Sequence, residues 1–342
     1  MKRPFGPVHF GSDQEPGIRR RGSKRFTYLD ERTKRAPSGR DLARILVLAV
    51  PPAWSDVWIA ADAGSHLQAA GRDARGRKQY RYHPAFTESQ SENKFDDLVL
   101  FAQVLGKLRS RVTRDLGRHD LSHDRVVATV VRLLDVTSLR VGNVEYARSN
   151  RSFGLTTLRN RHVAVRGTMI RFTFRGKSAH DFDVVVDNAR LAKIVRSCQH
   201  LAGQQLFEYT AEDGTVRSVG SSDVNTYLGE HGATGMTAKT FRTWNATVRA
   251  AEGLADIAAL EQAPTKRVLN AVVDQVADHL GNTRSVCRNS YVHPAVVDAY
   301  LDGSLVKRWR RPVGRRPAGL LDSERRTLRV LNPRAAVGAS NR

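Results

Sequence analysis

Cysteine is nearly absent from this chain of 342 residues: Cys198 and Cys287 are the two it holds, and neither stands in a paired motif. A disulfide framework or a cysteine-based metal cluster is therefore not expected, and a reducing compartment is. Acidic residues are also scarce, 34 Asp and Glu against 56 Lys and Arg, for a formal net charge of +22. That surplus exceeds what solubility requires and points to a polyanion, either nucleic acid or an anionic membrane surface. No apolar run approaches the ~18 residues of a spanning helix. The first seven residues lack the apolar stretch of a signal peptide. Nucleic acid is thus the stronger option, and a cytoplasmic, nucleoid-associated location is expected. No carboxylate cluster suited to magnesium is evident, so neither a metal nor another cofactor is expected. There is no internal repeat.

What the chain does have is a hydrophobic content of 40%, enough for a real core, and length for two domains. Residues 1–40 read as a basic arm with one short strand at Phe26–Leu29. Apolar spacing predicts a helix from Asp41 that stops before Pro51-Pro52. Val57–Ala60 reads as a strand, and Leu67 onward with Lys78–Tyr82 as a hairpin turning at Asp73–Gly76. Pro84 and Thr87–Asn93 read as a linker, with Ser89 and Glu92 as the capping box of the next helix. Phe95, Leu98, Phe101, Leu105 and Leu108 follow at helical spacing. A second helix is expected over Ser122–Asp135. The period then shifts to alternation, and strands at His162–Val165, around Ile170–Phe174 and at Phe182–Val186 form a meander. Helical spacing returns afterwards, through Leu280. The expected class is α+β: a small β-rich N-terminal domain (1–90), a mainly α-helical catalytic domain holding a three-stranded antiparallel sheet (91–310), and a mobile basic tail (311–342).

Gly176-Lys177-Ser178 ends like a phosphate-binding loop, but position 171 is Arg171 where that motif needs Gly, and a strand follows where it needs a helix. Lys177 instead falls in a tight turn, either solvated or aimed at a phosphate. Thr237 opens a helix on which Lys239 and Arg242 share a face while Phe241 and Trp244 take the buried one. Arg140 stands at a helix-to-turn junction. Gly281 suits a helix stop before Asn282. Tyr291, taken alone, is best explained as a half-buried aromatic.

In combination these residues resemble the bacterial branch of the type IB DNA topoisomerases, which is close to the poxvirus enzymes. The strings that carry the resemblance include Val50-Pro51-Pro52-Ala53-Trp54-Ser55-Asp56-Val57-Trp58-Ile59, Gly71 to Tyr80, Arg140-Val141-Gly142-Asn143, Gly154-Leu155-Thr156-Thr157-Leu158-Arg159, Gly176-Lys177-Ser178, Thr237-Ala238-Lys239 with Phe241-Arg242-Thr243-Trp244, and Gly281-Asn282-Thr283. It covers roughly residues 14 to 300. The first 13 residues, the tail beyond about 305 and the variant Ala179-His180-Asp181 lie outside the pattern.

The resemblance implies a catalytic set of Arg140, Lys177, Arg242, Asn282 and Tyr291, with Lys239 assisting. In this family the fourth member stands nine positions before the tyrosine, as Asn282 does here. It further implies transient cutting of one DNA strand through a 3′-phosphotyrosyl link, swivelling and resealing without ATP or metal, by a monomer that clamps duplex DNA. Arg75, Arg77, Lys78 and Tyr80 on the N-terminal hairpin are the candidate DNA contacts, with a solvated charged turn as the alternative. A tyrosine recombinase, which normally carries a helical DNA-binding arm, and a non-enzymatic basic DNA-binding protein are the competing classes.

Overall fold

The structure, a computed structural model, describes residues 8–332 except 24, 75, 261–262 and 312–317, with backbone alone at 88–94. The chain divides into two compact units, residues 1–94 and 95–342.

The first unit is built on a five-stranded antiparallel sheet. β1 (Ile18–Arg21) and β2 (Thr27–Asp30) precede helix α1 (Gly39–Val47), and β3 (Ser55–Ile59), β4 (Leu67–Arg72) and β5 (Lys78–Tyr82) follow, in the spatial order β2-β1-β3-β4-β5. Ile18, Ile45, Val57, Ile59 and Ala69 make its small core. The β4–β5 hairpin pairs Arg72 with Lys78 and turns over Asp73–Gly76 as expected. Gly76 there adopts φ +74°, which glycine reaches without strain. Strand β1 departs from the expected arm. Its Arg20 does not project as free charge: its guanidinium donates to the carbonyls of Val50 (3.2 Å), Pro51 and Trp54 (2.5 Å).

The expected linker at 84–93 is instead helix. α2 runs unbroken over Pro84–Leu116, so positions 89 and 92 lie within it and not at its start. Proline is well suited to a first helical position, where its missing N–H has no partner to lose. The polar residues after it are mostly adequate helix formers.

In the second unit α2 leads to α3 (His123–Thr137) and the short α4 (Val144–Asn150). The meander β6 (Val163–Arg166), β7 (Met169–Arg175) and β8 (Asp181–Asp187) forms a three-stranded antiparallel sheet. β7 alternates buried and exposed along its length, with Ile170, Phe172 and Phe174 inside. α5 (Ala189–Gln199), a small hairpin of β9 (Glu208–Thr210) and β10 (Val216–Ser218), and α6 (Ser221–Glu230) follow. The long α7 (Ala238–Ala258) runs through the core, with Phe101 edge-on to Phe241 at 5.0 Å and Trp244 fully buried. Burying each such side chain contributes about 1.5–3 kcal/mol. α8 (Lys266–Leu280), α9 (Arg284–Ser290), α10 (Pro294–Leu301) and α11 (Leu305–Arg310) then pack around a second apolar cluster.

The expectation of a mobile tail from 311 is wrong for its middle. Helix α12 (Asp322–Leu331) buries Glu324, Thr327 and Val330 against the domain. Its few apolar residues hide the signal, because much of what anchors it is ionic: Glu324 receives both Nη atoms of Arg109, at 2.7 and 2.8 Å.

Candidate active site

Arg140, Lys177, Lys239, Arg242 and Tyr291 line one cavity of about 340 Å³, and no carboxylate is among its lining residues. Four cations around a phenol, with no acid to neutralise them, make an anion site. Specific local features hold Arg242, Arg140 and Tyr291 in place.

Arg242, on the first turns of α7, is only 3% exposed. It donates through Nη1 to the Ser138 carbonyl and through Nη2 to the Leu280 carbonyl at 2.9 Å. Both acceptors lie at helix C-termini, where carbonyls lack intrahelical partners and favour a cation. Ser138 caps α3 in the left-handed conformation (φ 58°), and Gly281 stops α8 in the same way (φ 60°). Two helix stops thus fix one guanidinium.

Arg140 belongs to a loop locked by Gly154–Thr157. Leu155 N–H donates to the Arg140 carbonyl at 2.9 Å, and Thr156 N–H and Oγ1 both donate to the Val141 carbonyl at 2.7 and 2.9 Å. Gly142 has φ +110°, and a Cβ there would stand 2.9 Å from Thr156 Oγ1, so the approach requires glycine. From this loop Arg140 Nη2 donates to Asn282 Oδ1 at 2.8 Å. Lys177 sits exposed at the β7–β8 turn. His180 and Phe182 from that hairpin press on Gly281, where a Cβ would come within 2.6 Å of each. The hairpin and the Asn282 turn are therefore in direct contact.

Tyr291 follows α9 at the edge of the second apolar cluster and is 9% exposed. Thr247 Oγ1 donates to its carbonyl and accepts from His293 N–H, each at 3.1 Å. The Arg242 guanidinium carbon lies 5.3 Å from the phenol ring centroid. Burial acts to raise the Tyr291 pKa, but Arg242, Lys239 and Arg140 outweigh it and hold the phenol below the ordinary tyrosine value. Burial, then the charge of Arg140, brings the Arg242 guanidinium down to about 10. Three buried donors in this constellation make no hydrogen bond: Arg140 Nη1, Arg242 Nε and Asn282 Nδ2. Buried donors are rarely left without a partner, and these three are free to donate to the oxygens of an anion.

The N-terminal candidates are not gathered in this way. Arg77 pairs with Asp73 at 2.5 Å and Lys78 with Asp13 at 2.5 Å, while Tyr80 is 42% exposed and stacks beside Tyr82. Arg75 lies outside the described residues. No local pattern signals that the carbonyls of Ser138 and Leu280 hold Arg242. The Gly154–Thr157 string carried the resemblance without revealing its role as the clamp on Arg140.

The cavity places a tyrosine among four cations in a mainly helical domain. A family model described as eukaryotic DNA topoisomerase I, catalytic core, matches residues 83–309, and one described as bacterial DNA topoisomerase IB, N-terminal domain, matches 25–73. The chain is 29% identical to DNA topoisomerase 1B of Acanthamoeba polyphaga mimivirus, over 82% of this chain and 86% of that protein. It is 18% identical to DNA topoisomerase 1B of vaccinia virus (70% and 74%) and 24% identical to DNA topoisomerase 1 of rabbit fibroma virus (68% and 72%). The chain belongs to the type IB DNA topoisomerase family.

Proposed function

We propose that this protein relaxes supercoiled duplex DNA by cutting and resealing one strand, with Tyr291 as the nucleophile. The observation that carries the reading is the phenol in an acid-free cavity of four cations, its pKa held below the ordinary value. Tyr291 Oη attacks a backbone phosphorus, forming a P–O bond while the bond to the 5′ oxygen breaks. The phenolic proton leaves to solvent, and the 5′ oxygen takes a proton from Lys177, with Lys239 assisting. Arg140 and Arg242 grip the nonbridging oxygens, and Asn282 Nδ2 adds a neutral donor. Preorganised donors of this kind contribute about 3–4 kcal/mol each to the transition state. The product is a 3′-phosphotyrosyl ester and a free 5′ hydroxyl. The ester conserves the bond energy, so the reverse attack reseals the strand without ATP.

Residues 1–94 serve as a DNA-clamping domain, with Tyr80 the strongest of the hairpin contacts because Arg77 and Lys78 already have acidic partners. The protein works as a monomer on duplex DNA in the nucleoid. No helix among the described residues is long and apolar enough to cross a membrane. The test is relaxation of a plasmid without special sites, in EDTA and without ATP. Relaxation by a monomer supports the reading. A strict need for paired sites indicates recombination, and tight binding without relaxation indicates a non-enzymatic DNA-binding protein.

A further inference from the structure

We propose that Glu324, on the C-terminal helix α12, is a positioning residue for Arg242. The inference rests on the assignment of Arg242 and Tyr291 above. The Glu324 carboxylate is 3% exposed and fully engaged. Oε1 accepts from Trp244 Nε1 at 3.1 Å and from Arg109 Nη2 at 2.8 Å, and Oε2 from Arg109 Nη1 and Leu321 N–H, both at 2.7 Å. Trp244 stands two residues beyond Arg242 on α7, so this bond ties α12 directly to the helix that carries the guanidinium.

A second route runs through Arg109, which also grips Asp135 at 2.9 and 2.8 Å. Asp135 lies in the last turn of α3, and Asn245 Nδ2 bridges its carbonyl (2.8 Å) and Ser138 Oγ (3.0 Å). The Ser138 carbonyl is one of the two that hold Arg242. Gly106 and Gly319 make the docking close: a Cβ on Gly106 would stand 1.8 Å from the Ala318 carbonyl oxygen. The carboxylate thus fixes both the helix under Arg242 and the helix stop above it. A site this dependent on orientation loses on the order of a hundredfold for a displacement of about 1 Å.

Tyr291 is faced by Arg242 and Lys239 from α7 and by Arg140 from its loop. Arg242 in turn is faced by Arg140, by Cys287 on α9 and by His279 on α8. Glu324 is not among these groups, so its removal reaches the phenol by moving Arg242.

The experiment measures single-turnover formation of the covalent DNA adduct across pH for the full chain, with Glu324→Ala and Trp244→Phe. The second substitution keeps the ring and removes only the indole donor. Folding is checked by circular dichroism at the assay temperature, and duplex affinity in a Tyr291→Phe background. Adduct formation about a hundredfold slower in Glu324→Ala and about tenfold slower in Trp244→Phe, with the rising limb moved to higher pH and affinity unchanged, supports the inference. Lowered melting temperatures with wild-type rates and pH profiles overturn it. If Glu324→Ala does not fold, Trp244→Phe alone decides. Failure of the unaltered protein to form an adduct at Tyr291 would instead overturn the proposed function.

Discussion

Arg242 and Tyr291 are joined by charge in one cavity, with the guanidinium carbon 5.3 Å from the ring centroid. Arg242 is itself immobilised by the Ser138 and Leu280 carbonyls, so it meets the phenol and any bound phosphate without reorganising. A lysine here carries the charge but cannot hold two carbonyls and a phosphate oxygen with one planar fork.

Arg242→Lys is therefore expected to lower the cleavage rate by about 10²–10³, the scale of a lost preorganised donor. Arg242 is also the charge that does most to hold the phenol below its ordinary value. Its replacement by Gln is expected to move the rising limb of the cleavage profile to higher pH. Rapid-quench measurement of adduct formation from pH 6 to 10 checks both outcomes; an unshifted limb would remove Arg242 from the activation of Tyr291.

Asn282 uses its Oδ1 to accept from Arg140 and leaves Nδ2 unpartnered. Asn282→Asp keeps the acceptor, loses the donor and adds a negative charge beside the phosphate. It is expected to cleave more slowly than Asn282→Ala, although it alone retains the bond to Arg140. The opposite ranking in single-turnover cleavage would show that orienting Arg140 is the main task of Asn282.

Gly142→Ala places a Cβ 2.9 Å from Thr156 Oγ1 at a φ of +110°. Strain of this kind costs about 1–3 kcal/mol and displaces the loop that carries Arg140. The variant is expected to melt earlier and to cleave at least tenfold more slowly. Gly76→Ala, at a turn with open space but φ +74°, is expected to cost stability alone.

His279 lies half-buried at the end of α8 with Nε2 unpartnered, and burial together with Arg249 and Arg242 pushes its pKa down from 6.5 to about 4. The folded imidazole therefore refuses a proton that the unfolded one accepts below about pH 6.5. Its contribution to stability is present above that pH and is lost as pH falls toward 4. Urea unfolding of the protein and of His279→Gln between pH 4 and 8 is expected to show a shallower acid loss in the variant.

The class of fold was legible because it depends on local spacing, whereas the proposed catalytic set rests on ordered strings. β7 alternates over Ile170, Phe172 and Phe174, and Gly281 closes α8 where a C-terminal stop was expected. Arg242 was legible as a residue, but its depth was not. Spacing three from Lys239 suggests one solvated face, whereas Lys239 is exposed and Arg242 is inside. What turns Arg242 inward are carbonyls 104 and 38 residues away. The same holds for α12, whose Glu324 pairs with Arg109 across 215 residues. Non-local ion pairs leave no periodicity to read, so an Arg-rich segment passed for a tail. The helix start at Pro84 is hidden for the opposite reason, since polar helix formers resemble a linker when no apolar stripe marks them.

The most direct test of the central claim is trapping of the protein on duplex DNA whose downstream fragment, the one bearing the free 5′ hydroxyl, dissociates after cleavage, followed by denaturation and peptide mapping. A single nucleotide-bearing peptide containing Tyr291, linked to the 3′ phosphate, and no adduct from Tyr291→Phe despite retained DNA binding, is the predicted result. A covalent adduct formed by Tyr291→Phe, or one mapped to another residue, would contradict it.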